Sequence, residues 1–330
     1  MLRWIATLAA VAAVALVGLA PVAARAHGLI GTRFFPATLG IDDPFVADEL
    51  SLPTISHIKT RGEGDAPPAR ETDFSAELSK RLTPDLGFSL GGTYRVIDPD
   101  TGPVVNGFDN MEVSLKYVLF KDAEHETLLS LGLGWDVGGT GMKKVGAESF
   151  DTVTPALFFG KGLGDLPDAL ELARPLALTG SVGVAMPTRH ANVTRVVEDD
   201  GSVSFDREVN PSVARWGFTL QYNLQYLQSN VRDVGLPPPF SRMIPIVEFV
   251  MQTPLDDPRS AGRTTGTIQP GIIWFGRYIQ LGLEAVIPVN ERSGKNVGIV
   301  GQLHFYLDDI LPKVFTWTPF HGVLGPTQGR

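Results

Sequence analysis

Charged residues recur between apolar neighbours along most of this chain: Glu77, Arg81, Arg95, Glu112, Lys116, Asp136, Arg215, Glu248 and Glu284. In a strand, successive side chains point to opposite faces. These charges therefore share the face opposite the apolar residues. Buried unpaired, each would be costly, so they must pair or line water. The chemistry they can do is electrostatic. They form either a mixed-charge constriction that selects solutes or a salt-bridged network that fills a narrow lumen. Glu112 and Lys116 lie too far apart along one strand for a direct pair, so cross-strand partners are expected.

Metal and catalytic chemistry have less to stand on. His27 would become the first residue after removal of an export signal, where its α-amine and imidazole could chelate a borderline cation such as copper. His57, His125, His190, His304 and His321 are scattered, with no H-x-x-x-H spacing. The chain has no cysteine, which excludes disulfides, thiolate metal sites and a lipoprotein anchor. No H-E-x-x-H or phosphate-binding loop occurs. Ser, His and Asp are present but not grouped in sequence. No cofactor and no enzyme activity are expected. A net charge of −8 without a basic block argues against nucleic acid.

The elements that must position these charges are strands. Ala214–Leu227 is the clearest. Ala214, Trp216, Phe218, Leu220, Tyr222, Leu224 and Tyr226 form one face, and Arg215, Gly217, Thr219, Gln221, Asn223 and Gln225 the other. No helix separates residues this way. The alternation recurs over Leu86–Val96, Met111–Phe120, Thr127–Val137, Tyr278–Val289 and Asn296–Leu307. It is weaker over Leu52–Lys59, Phe74–Leu82, Val153–Lys161, Leu176–Met186, Met243–Thr253 and Thr264–Phe275. Pro155, Pro245 and Pro270 fall inside weaker segments and are expected at strand ends or bulges.

Large residues and aromatics crowd the apolar faces, while Gly, Ser, Thr, Asn and Gln crowd the polar ones. That suits lipid outside and a confined lumen inside. The expected fold is all-β, an antiparallel transmembrane β-barrel of about twelve strands. Arg3, the apolar run Ile5–Ala20 and Ala24-Arg25-Ala26 read as a cleaved signal peptide over 1–26. Residues 27–50 are expected to be a periplasmic leader or a plug, 51–310 the barrel, and 311–330 an irregular tail. A short helix is expected at Leu166–Leu172. The implied location is the outer membrane of a Gram-negative bacterium, with its lipids as partners.

In its signal peptide, strand rhythm and Gly-polar/apolar faces over roughly residues 50–310, the chain resembles bacterial outer-membrane channel-like barrels associated with phenol meta-pathway (aromatic compound) degradation. The resemblance implies passage of small molecules, including a small hydrophobic or aromatic solute. The alternatives are a non-conducting structural or interaction barrel acting through its loops, and an outer-membrane lipid-modifying enzyme.

Overall fold

The computed structural model describes residues 28–62, 67–197 and 203–320. The expected signal peptide and His27 lie outside the described residues. Twelve strands form the wall: β1 (Glu49–Thr60), β2 (Ala69–Arg81), β3 (Leu86–Pro99), β4 (Met111–Asp122), β5 (Thr127–Val137), β6 (Thr152–Gly162), β7 (Leu176–Pro187), β8 (Val213–Tyr222), β9 (Met243–Pro254), β10 (Thr265–Phe275), β11 (Ile279–Pro288) and β12 (Gly298–Tyr306). Each pairs antiparallel with its neighbours in the chain, and β12 pairs with β1. The sheet thus closes on itself and the wall has no free edge. The strands run from 9 to 14 residues, which at about 3.3 Å per residue and a tilt of roughly 40° crosses an apolar band of about 25 Å.

The outward face is the apolar one. Leu115, Leu131, Leu133, Val182, Leu220 and Leu283 stand exposed on it. Trp135 and Trp216 are exposed toward one end of the wall and Tyr117 toward the other, as interfacial aromatics are. Short turns such as 82–85, 123–126 and 276–278 join strands at the end where β1 begins. That end is periplasmic by the rule that barrel turns are short there.

Several local expectations change. The eighth strand stops at Tyr222 rather than Leu227. Asn223 ends it, its Oδ1 accepting from the Tyr226 amide at 3.0 Å, and the chain turns into a helical segment. Leu224 and Tyr226 continue the alternation in sequence but not in the wall. The expected helix at Leu166–Leu172 is a 3-10 turn at Asp168–Ala173. The loop after β7 carries its own hairpin, Ala191–Val197 with Val203–Val209.

Pro155, Pro245 and Pro270 are not at bulges. Pro155 and Pro270 sit where pairing to one neighbour lapses for two residues and resumes in the same register. Pro245 lies just beyond the last β8–β9 pair. A proline lacks only one donor, aimed at one neighbour, so the other ladder survives. The register shifts fall instead at Ser51/Thr54, Val118/Phe120 and Gln302/His304.

The tail continues as two helical turns, Leu307–Ile310 and Pro312–Phe315, folded under the periplasmic rim. Lys80 Nζ donates to the carbonyls of Phe315 and Trp317 at 2.9 and 2.6 Å.

Candidate functional site

Residues 28–48 do not pair into the wall; they run inside it. A two-stranded hairpin, Leu29–Ile30 with Arg33–Phe34, sits at the periplasmic mouth. The segment then passes through the lumen and leaves at Asp48 into β1. Apolar residues seat it. Phe35 and Ile30 pack with the inward Val118, Leu128 and Ala177, joined by Phe45 and Val46. Phe34 and Leu39 pack with Ile244, Ile246 and Ile273. Two wall glycines make room. A Cβ on Gly282 would lie 2.5 Å from Leu39 Cδ1, and one on Gly87 would lie 2.7 Å from Val46 Cγ1.

Polar anchors fix the register of the segment. At the mouth, the buried Arg33 faces Glu126 at 3.0 Å and donates to the carbonyls of Pro175 (2.9 Å) and Arg174. Its guanidinium lies 3.6 Å over the centre of the Tyr226 ring. Burial lowers the Arg33 pKa, and Glu126 works against that. In mid-lumen, Glu248 accepts the amides of Leu39, Gly40 and Ile41 at 2.8, 3.0 and 2.9 Å. Gln280 Nε2 donates to the Ala37 carbonyl at 2.7 Å. At the exit, the buried Asp48 meets Lys80 and Arg81, each at 2.7 Å.

Each charge singled out in the sequence has a definite place. Arg81 bridges Asp48 and Asp308 at the periplasmic rim. Arg95 is tied near the opposite end to Asp73, Glu71 and Asp109, at 3.0, 3.2 and 3.1 Å. Lys116 reaches Asp42 at 2.8 Å and the Asp43 carbonyl at 2.6 Å. Glu248 and Glu284 lie buried beneath the N-terminal segment, their carboxyl groups against each other, and neither lines open space. Glu77, Glu112, Asp136 and Arg215 face the space that remains.

That space is two cavities. One of about 650 Å³ opens toward the long loops, lined by Glu112, Asp136, Arg215, Gln252 and Thr267. The other, of about 390 Å³, follows β1 to β3 and β12 toward the periplasmic end, past Thr93, Ser75, Thr54, Ser51 and His304. Both are lined by Ile41, Asp42, Glu77, Glu112, Ser114 and Lys116, so they adjoin beside the segment. His304 is buried there, its Nδ1 2.9 Å from Ser51 Oγ and its Nε2 3.3 Å from Glu49.

Strand rhythm missed Arg33, Asp42 and Asp48, which lie where the sequence has no clean period. It also passed over Gly87-Phe88-Ser89-Leu90-Gly91, a G-x-S-x-G pentapeptide. In hydrolases that motif is a sharp strand-to-helix turn that exposes the serine. Here it lies inside β3, with Ser89 paired to Ser114 on β4 and their hydroxyls 2.7 Å apart. It is wall, not a nucleophile elbow. Among the described residues no cluster of His, Asp and Glu has the geometry to hold a metal ion.

No protein-family model matches the chain, and no curated protein matches it significantly. Solved structures do. The COG4313 outer membrane channel from Pseudomonas putida F1 aligns at TM-score 0.52 and 10% identity, over 79% of this chain and 95% of that one. The NanC porin aligns at 0.42 and 9% identity, over 77% and 98%. A TodX monoaromatic hydrocarbon channel variant aligns at 0.41 and 8% identity, over 78% and 88%. The fold is that of an outer-membrane β-barrel.

Proposed function

We propose that this barrel passes small molecules across the outer membrane of a Gram-negative bacterium, after export by a signal peptide cleaved behind Ala26. Residues 28–48 set the width of the path. One observation carries the reading: the vestibule on the loop side and the cavity along β1 to β3 share lining residues beside Asp42. On this reading solute and water take a side route past the seated segment. The lining there is hydroxyl, carboxylate and ammonium. It favours small polar solutes over the hydrophobic or aromatic ones that the resemblance implies.

Glu248 is the mid-lumen anchor of the segment, so planar-bilayer recording of the mature chain and a Glu248→Ala variant tests the proposal. Discrete steps are expected from the mature chain, with larger or more frequent ones from the variant. Silence from both overturns the channel and leaves a structural barrel acting through its loops.

A further inference from the structure

We infer that the loop-side vestibule is a binding site for a small zwitterionic solute, its ammonium held by Glu112 and Asp136 and its carboxylate by Arg215. The inference rests on the channel reading for its purpose but not for its evidence.

The evidence begins with pairing. Glu112 and Asp136 are direct register partners on β4 and β5, both facing the lumen. Like charges opposite one another in a sheet repel, and a cation beside them relieves that repulsion. None is bonded to this pair. Neither carboxylate has a hydrogen bond or ion pair among the described residues, and neither does Arg215. The other interior cations are engaged: Lys116 by Asp42, Arg81 by Asp48, Arg95 by its three carboxylates. The fields of Arg215 and the two carboxylates overlap across the vestibule without a contact.

The register explains the gap. Arg215 lies level with Gly183, Ala156 and Gly132 on the three strands between it and β4. None of these can reach into the lumen. Beyond the Phe158 ring, which lies over Gly132, these small residues leave room on the wall between the cationic and anionic sides for the cavity of about 650 Å³. A site with an unpaired cation facing an unpaired acid pair, across the vestibule, fits a molecule carrying both complementary charges. Charge-assisted hydrogen bonds at both ends supply the affinity.

Equilibrium binding to the full mature barrel in detergent tests this without requiring flux. The probes are aminohexanoate, its single-charge counterparts hexanoate and hexylammonium, and toluene. Aminohexanoate is expected to bind at least about tenfold more tightly than either counterpart. Glu112→Gln with Asp136→Asn should erase its margin over hexanoate. Arg215→Gln should erase its margin over hexylammonium. Retention of the heat-dependent gel shift of a folded barrel shows that the variants are intact. Equal affinity for the three charged probes, a margin that survives the substitutions, or tighter binding of toluene overturns the site. Conductance, measured separately, decides the channel reading whatever the binding result.

Discussion

Arg33 has no exposed surface, and Glu126 beside it is almost as deeply buried. Such a pair contributes little net stability, but removing one partner strands the other charge at a cost of about 3–5 kcal/mol. Arg33→Ala and Glu126→Gln should each lower the unfolding midpoint in urea and free the hairpin at 28–34 to added protease. The double variant should lose far less than the sum of the two. Additive losses would mean that the two side chains act independently. This pair shows what sequence withholds at the residue scale. The lumen charges were legible because strand alternation marks a face. Which of them are engaged was not, because Arg33, Asp42 and Asp48 come from a segment without a period. Arg81 and Lys116 find their partners through rim and segment. The Arg95–Asp73 pair and the Glu112/Asp136 opposition follow from strand register.

Elements were legible wherever the wall itself fixes the pattern. β5 begins and ends where the alternation does, at Thr127 and Val137. Boundaries failed where polar caps override the pattern. Asn223 turns the chain while Leu224 and Tyr226 keep time. The loop hairpin was hidden for another reason. Its two strands pair only with each other, and Val193 and Phe205 stand exposed, so no buried face imposes a clean alternation. It follows that the hairpin carries little of the barrel's stability. Replacing residues 191–209 by a short Gly-Ser turn should shift unfolding by no more than about 1 kcal/mol, the order of a loop-length effect. A barrel that fails to fold without the hairpin would show that it nucleates the β7–β8 pairing.

At the scale of the whole molecule, the number of strands, their direction and the lipid-facing side all follow from period-two alternation. What fills the lumen does not. Ile244, Ile246 and Ile273 point inward and are wholly buried, where an open polar pore would carry small polar residues. Inward apolar residues are the one sequence signal of an apolar occupant, and they mark the seat of Phe34 and Leu39. The central claim is that residues 28–48 occupy that seat and, by shifting in it, set the width of the path. Val46 and Gly87 give the most direct test, since a Cβ on Gly87 would lie 3.5 Å from Val46 Cβ, inside the range of about 3.5–4.5 Å that a disulfide spans. The chain has no other cysteine to interfere. In planar bilayers, a Val46→Cys, Gly87→Cys variant should conduct weakly when oxidised. Its conductance should rise when a reductant is added and fall again on reoxidation. Identical conductance in both redox states would contradict the claim that movement of this segment governs passage.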